Sequence, residues 1–240
     1  MNPLGRFVKL PRFIGMPRVD SPPVFVNSMP KAGTNLVEDF LVELGLKRKV
    51  ARCLNETNAP RVTLRPSRGR FYIGHLADDA IIHSVAQAKV FVTRRLGKCL
   101  RSYVNYMRID KSHQVSKFVG ERPTFDVLQK LFFTADNPNR RPLVDEYLRF
   151  FRLDWDKYDV VIEYEKLVSA DAGLLSSLSS CLGVDVVTIE RALSRAMGNS
   201  SYTRNLGSVD VFSGLTSAQS QALDAEFEKA ERAGRVIQHQ

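Results

Sequence analysis

The sequence predicts an α/β fold, a three-layer sandwich in which a central, mainly parallel sheet lies between helices. Short apolar tracts rich in β-branched residues alternate with stretches whose apolar residues recur at helical spacing, as in βαβ units. The first tract, "VFVNS", leads into a loop with Pro30, Lys31 and Gly33, and a helical pattern begins at Thr34. This strand-loop-helix order is P-loop-like, since it directs the unpaired N–H groups and the dipole of a helix at one point.

The remaining elements follow along the chain in the same alternation. In the first predicted helix Val37, Phe40, Leu41 and Leu44 share one face. Further strands are predicted at residues 71–76, 89–93 and 160–163, and further helices at 79–87, 96–107, 124–135, 142–153, 174–182, 186–197 and 217–233. Open sheets of this kind bind ligands at the carboxyl ends of their strands.

Composition indicates an ordinary globular chain with an anionic partner. The 240 residues are 44% hydrophobic and 25% charged, which predicts one domain over residues 23–240 after a loosely packed basic segment, 1–22. The net charge of +9 attracts nucleotides, nucleic acids, sulfated sugars and membrane surfaces alike. The most basic stretch, residues 47–70, has a single acid, Glu56.

The cysteines and the apolar runs predict a cytoplasmic location. Cys53, Cys99 and Cys181 lie far apart without C-x-x-C spacing, which is typical of reduced thiols. No apolar run approaches the roughly 18 residues of a membrane span. The first residues are interrupted by arginines and prolines, so we expect no signal peptide.

The loop "PKAGTN", residues 30–35, is the first motif with a chemical meaning. Lys31 adds a full positive charge at the helix N-terminus, which favours a phosphate group over the alternative of a solvated loop lysine. The loop lacks the spacing G-x-x-x-x-G-K-[ST], so a purine triphosphate with magnesium is not the expected ligand.

At this point the residues resemble a known family. "PKAGTNL" is similar to the 5′-phosphosulfate loop of sulfotransferases that use 3′-phosphoadenosine-5′-phosphosulfate (PAPS). The resemblance implies that Lys31, Ala32, Gly33, Thr34 and Asn35 bind the 5′-phosphosulfate.

A second motif carries the same resemblance. Arg94 ends a predicted strand and Ser102 follows eight residues later, which resembles the Arg and Ser that bind the donor's 3′-phosphate in this family. A strand-end guanidinium and a hydroxyl early in the next helix can converge on one phosphate. The linking residues "RLGK" differ from the family's usual Asn-Pro-Arg-Asp, and Arg95 is an alternative for the role. Arg94 could instead pair with Asp78 or Asp79.

Three further positions fit the resemblance. "IGHL" resembles the strand end where cytosolic members place a catalytic base, which implies this role for His75. "VIEYEKLV" resembles the segment whose tyrosine lies near the adenine, which implies this role for Tyr164, and Arg204 aligns with a phosphate-binding arginine. From the residues alone, His75 is also typical of a satisfied polar group and Tyr164 of a strand-end residue packed in the core.

The resemblance implies sulfuryl transfer from PAPS to a hydroxyl of a small-molecule or carbohydrate acceptor, by in-line displacement with a His base and Lys31 at the departing phosphate. The product would be adenosine 3′,5′-bisphosphate (PAP), and no metal or nucleic acid is expected. The basic stretch leaves an anionic or glycan acceptor as a hypothesis, in a pocket built around residues 47–70, 108–123 and 134–142. Alternatives are a nucleotide or sugar kinase and a non-catalytic relative that binds polyanions or nucleotides.

Overall fold

Six parallel strands form the centre of the protein in a computed structural model. The structure describes residues 20–51, 53–62, 64–65, 67–78, 80–109, 114–120, 122–199 and 210–236. The strands within these ranges are β1 (Val24–Ser28), β2 (Lys47–Arg48), β3 (Leu54–Asn55), β4 (Arg70–His75), β5 (Ala88–Thr93) and β6 (Val160–Glu163).

The sheet has β1 near its centre. The strand order is β2-β4-β1-β5-β6, and β3 continues the edge beside β4. Every pairing between these strands is parallel, with Asn27 opposite both Gly74 and Phe91. Parallel strands end at the same edge, so Ser28, His75, Thr93 and Glu163 are brought to one side of the molecule.

Helices cover both faces of this sheet. They are α1 (Thr34–Glu43), α2 (Ala80–Val85), α3 (Leu96–Ile109), α4 (Gln114–Val119), α5 (Phe125–Phe133), α6 (Leu143–Phe151), α7 (Tyr164–Val168), α8 (Ala172–Leu182), α9 (Val186–Gly198) and α10 (Ser217–Val236). The bounds follow local chemistry, since the side chains of Asp171 and Asp185 accept hydrogen bonds from the N–H groups of Leu174 and Thr188 at 2.9 Å.

The alternation of side chains along the strands divides the core between the two faces. Val24, Val26 and Ile73 lie in the same apolar cluster as the buried face of α1, which packs against α9. Phe25 and Tyr72 point to the opposite face and belong to a smaller cluster with Ile82 of α2. Both faces are therefore covered, and the predicted α/β fold with a central parallel sheet is confirmed.

One buried polar side chain, Asn27, joins three parts of the fold. Its Nδ2 donates to the Leu76 carbonyl at 2.8 Å and to the Tyr158 hydroxyl at 2.9 Å. Its Oδ1 accepts from the Leu76 N–H at 2.9 Å. Asn27 is fully buried, so these bonds both satisfy it and fix the exit of β4 against β1.

The predicted elements are present with shifted ends, and the described residues add the strands β2 and β3 and the short helices α4 and α7. The strands β2 and β3 are only two residues long, and no alternation within so short a segment could have indicated them. No helix was predicted within residues 108–123, but α3 continues to Ile109 and α4 follows at Gln114–Val119. α4 has only six residues, too few for a clear helical period.

No single helix in the described ranges is long and apolar enough to cross a membrane. The pair α8 and α9 meets the length and composition criteria together, but these helices are bent by 109° and pack against the sheet and α1. The described chain begins at Asp20, so nearly all of the predicted basic segment 1–22 lies outside it.

Candidate functional site

The loop between β1 and α1 has the backbone of an anion cradle. The Ala32 N–H bonds the Met29 carbonyl at 3.2 Å and closes a turn, with Lys31 at φ 64° and Gly33 at φ 104°. The Gly33 carbonyl accepts from Leu36 and Val37, which begins the helix. The first N–H groups of a helix have no acceptor within it, so those of α1 are directed at the loop's mouth.

The ring of Tyr164 packs directly on this loop. A Cβ placed on Gly33 would lie 2.6 Å from Tyr164 Cε2 and closer still to Cδ2. Tyr164 is the first residue of α7, immediately after β6, and β5 separates this strand from β1. The end of β6 thus forms one wall of the cradle.

Arg94 stacks on the same ring. Its Cζ is 4.3 Å from the centroid of Tyr164, and its Nε donates to Glu165 Oε1 at 3.3 Å. The Arg94 side chain is 24% exposed, so it is held by stacking and by an ion pair yet remains accessible. The acid it pairs with is therefore Glu165, not Asp78; Asp79 lies outside the described residues.

A second cation, Lys31, rests on an aromatic ring of α3. Its Nζ lies 4.1 Å from the centroid of Tyr106. Burial lowers the pKa of Lys31 below its ordinary value, because the charged form is partly removed from water. A bound anion would favour the charged form again, so this lysine is suited to meet a phosphate.

His75 is held at the end of β4 by β1. Its Nδ1 lies 2.8 Å from the Ser28 carbonyl and 3.0 Å from Ser28 Oγ, which also contacts Thr34 Oγ1 at 2.8 Å. A carbonyl only accepts, so Nδ1 carries the proton and Nε2 keeps its lone pair. Burial lowers the pKa of His75, and the Ser28 carbonyl opposes this shift. The neutral form of the imidazole is therefore favoured.

These groups surround one cavity of about 460 Å³, a size common for small-ligand sites. The predicted site residues that line it are Lys31, Gly33, Thr34, Asn35, His75, Arg94, Ser102 and Tyr164. Ala32 is buried beneath the loop instead of lining the cavity. The alternative cation, Arg95, is exposed and lies outside the lining. Arg204 falls outside the described residues.

Several lining residues were missed by the sequence interpretation. Leu36, Glu38, Arg48, Cys53, Ile73 and Tyr106 complete the wall. Tyr106 follows Ser102 by one helical turn, and this spacing was a usable signal. Glu38 and Arg48 form an ion pair of 2.6 Å between Oε1 and Nη1, which depends on β2 and left no local signal. Burial raises the pKa of the neighbouring Cys53 thiol to about 11, so it is not a reactive thiolate.

The expected acceptor segments contribute less to this cavity than predicted. Among the described residues of 47–70 only Arg48 and Cys53 line it, and no described residue of 108–123 or 134–142 does. Four other basic residues of the stretch line a different cavity. Lys47, Lys49, Arg68 and Arg70 line a separate cavity of about 420 Å³ at the amino ends of β2 and β4.

Side chains that could bind a metal ion lie apart from one another in the part of the chain that the structure describes. Among the described residues, no three His, Cys, Asp or Glu side chains are placed to hold a metal ion. The cysteines Cys53, Cys99 and Cys181 are all free thiols.

The fold is similar to that of solved sulfotransferase structures. Mouse sulfotransferase SULT7A1, solved in complex with PAP, aligns with a TM-score of 0.53 and 16% identity over 90% of this chain and 88% of that chain. Retinol dehydratase, solved with androsterone and the inactive cofactor PAP, aligns with a TM-score of 0.53 and 12% identity over 88% of this chain and 79% of that chain. No family model and no curated protein matches the sequence. At these identities the likeness establishes the fold.

Proposed function

We propose that this protein is a sulfotransferase that moves a sulfuryl group from PAPS to a hydroxyl of a small-molecule or carbohydrate acceptor. The observation that carries the proposal is that the phosphate loop, Arg94, Ser102 and His75 line one cavity. The fold of the two solved structures with PAP supports it. The free thiols are in keeping with a cytoplasmic location.

The donor half of the cavity supplies cations at two separated points. Lys31 and the first N–H groups of α1, at Gly33 to Asn35, bind the 5′-phosphosulfate. Arg94 and Ser102 bind the 3′-phosphate, which PAPS and PAP carry and which AMP and ATP lack. Tyr164, which contacts both Gly33 and Arg94, supports the adenosine between the two phosphate sites. PAP can bind both cations, whereas AMP has no 3′-phosphate for Arg94, so the cavity should bind PAP more tightly than AMP.

The acceptor half provides the base. Nε2 of His75 takes the proton of the acceptor hydroxyl as its oxygen forms the new S–O bond. The bond between sulfur and the bridging phosphate oxygen breaks, and the negative charge that develops on this oxygen is stabilised by Lys31. Ser28 fixes the imidazole through Nδ1, so the proton enters at one defined nitrogen. As in phosphoryl transfer, the rate then depends mainly on position and charge.

A calorimetric titration tests this proposal directly. Purified protein is titrated with PAP, AMP and metal-free ATP, and sulfuryl transfer from labelled PAPS is measured on a panel of hydroxylated acceptors. Preferential binding of PAP together with turnover is the expected result. Preferential binding of PAP without turnover on any acceptor would favour a nucleotide-binding relative. Equal binding of all three nucleotides would contradict the proposed donor site.

A further inference from the structure

The ion pair of Glu38 and Arg48 lines the same cavity as the phosphate loop. Arg48 Nη1 donates to Glu38 Oε1 at 2.6 Å, and the side chains are 23% and 26% exposed. The pair is thus partly desolvated, which strengthens it relative to an ion pair on the open surface. Both residues face the same space as His75.

The sheet sets the backbone separation between Arg48 and the proposed base, His75. Phe71, Ile73 and His75 are alternate residues of β4, so they point to the face that α1 covers. Arg48 lies opposite Phe71 in the parallel register, four residues before His75. At a rise of about 3.3 Å per residue the backbone positions are about 13 Å apart along the strand. A molecule the size of one or two sugar rings can bridge this separation.

The charges of the pair limit what can bind there. Glu38 and Arg48 compensate each other, so the wall has no net charge while it offers a carboxylate acceptor and guanidinium donors side by side. A neutral vicinal diol matches such a wall, because one hydroxyl donates to the carboxylate and the other accepts from the guanidinium. An anionic substituent would face the Glu38 carboxylate and compete with it for Arg48.

The guanidinium also has unused hydrogen-bonding capacity. Arg48 Nε is buried without a hydrogen-bond partner among the described residues. An unsatisfied buried donor is unfavourable, and a small rotation of the guanidinium on ligand binding would relieve it. A ligand oxygen at this wall would therefore complete the coordination of a group that the protein itself leaves incomplete.

We infer that the Glu38–Arg48 pair is the acceptor subsite and that it selects a neutral polyol, such as a sugar ring, over an anionic one. This inference rests on the proposed function. It narrows the acceptor from the anionic or glycan class that the basic stretch suggested. The cations of that stretch lie mainly around the separate cavity at the amino ends of β2 and β4.

The test uses pairs of sugars that differ in one charge. Methyl glucoside and methyl glucuronide, and the corresponding galactosides, are compared in sulfuryl transfer from labelled PAPS. The same sugars are examined by saturation-transfer NMR with and without PAP, so that binding is measured apart from turnover. We expect the neutral member of at least one pair to be bound and used at least about tenfold better than its uronide.

The variant Glu38→Gln tests whether the Glu38 carboxylate causes the selection against anionic sugars. It leaves the Arg48 charge uncompensated. The ratio of binding and turnover of the neutral sugar to that of its uronide should therefore fall at least about tenfold. Glu43→Gln is the matched control, since Glu43 lies on the same helix and pairs with Arg195 at 3.0 Å outside the cavity lining. The Glu43→Gln variant should keep the wild-type ratio of neutral sugar to uronide.

The outcomes separate this inference from the proposed function. PAP binding with equal or stronger binding of every uronide would overturn the inference and leave the function standing. Binding of neither sugar in any pair would also overturn it. If PAP fails to bind, the proposed function is contradicted. NMR of the sugars without PAP still decides whether the Glu38–Arg48 pair selects a neutral ring.

Discussion

The ring of Tyr164 fills the space in which a side chain at Gly33 would begin. The contact joins the loop after β1 to the end of β6, so two segments far apart in the sequence define one wall of the cavity. Gly33 also has φ 104°, which side-chain-bearing residues rarely adopt. Position 33 is therefore restricted by its own backbone and by its neighbour.

Gly33→Ala should abolish measurable PAP binding, because the added methyl group must displace Tyr164 or distort the loop. Calorimetry gives the affinity and thermal unfolding gives the stability. Gly183→Ala is the control: Gly183 has φ 66° but open space around its missing Cβ. That variant should lose about 1–2 kcal/mol of stability through its backbone alone and keep PAP binding. Equal PAP affinity in wild type and Gly33→Ala would contradict the proposed loop.

Arg94→Ala should weaken PAP binding about 10- to 100-fold, since hydrogen bonds to charged groups contribute about 1.5–3 kcal/mol each. AMP lacks the 3′-phosphate, so its affinity should change much less. Arg95→Ala, next in the chain and exposed, removes the same charge and should change neither affinity. Similar losses in both variants would mean that net charge, not a defined 3′-phosphate site, binds the nucleotide.

His75→Gln should reduce kcat by about 10²- to 10⁴-fold and leave PAP affinity within about twofold, as expected for a general base. The lowered pKa of His75 keeps it neutral at pH 7, so activity should fall on the acid side with a midpoint below the ordinary value of about 6.5. A pH–rate profile locates this midpoint. If the residual activity of His75→Gln falls at low pH with the same midpoint as the wild type, a group other than His75 causes the fall.

The same shift gives the protein a pH-dependent stability. Between the lowered pKa of folded His75 and its unfolded value of about 6.5, the unfolded chain binds more protons, so stability declines as pH falls through this window. Denaturant unfolding at a series of pH values should show a smaller decline in His75→Gln. An identical decline in both proteins would exclude His75 as its cause.

PAP affinity should fall in the alkaline range before an ordinary lysine would deprotonate. The pKa of Lys31 is lowered by burial, so its charge is lost below the usual value of about 10.4 as pH rises. Titration of PAP from neutral to alkaline pH measures this decline. Lys31→Ala should bind PAP more weakly throughout and with a flatter pH dependence, whereas a slope as steep as that of the wild type would assign the effect to a different group.

The sequence predicted the lining of the cavity best where a polar or charged residue stands at the end of a predicted strand. "PKAGTN", Arg94 and His75 each follow an apolar tract, and a parallel sheet necessarily brings such positions to one edge. Contacts that depend on packing across several strands were not accessible in this way. Glu38 meets Arg48 only because the two-residue strand β2 pairs beside β4, and Tyr164 reaches Gly33 only once β5 and β6 are in place.

The position of β1 near the centre of the sheet has a consequence for synthesis on the ribosome. β1 emerges first but pairs with β4 and β5, and its loop is closed by Tyr164 after β6. More than two-thirds of the 240 residues, those up to Tyr164, must leave the exit tunnel before the nascent protein can complete the proposed nucleotide pocket. Until β4 and β5 have been synthesised, the apolar strand β1 has no strand to pair with, which exposes early chain intermediates to aggregation and to chaperones.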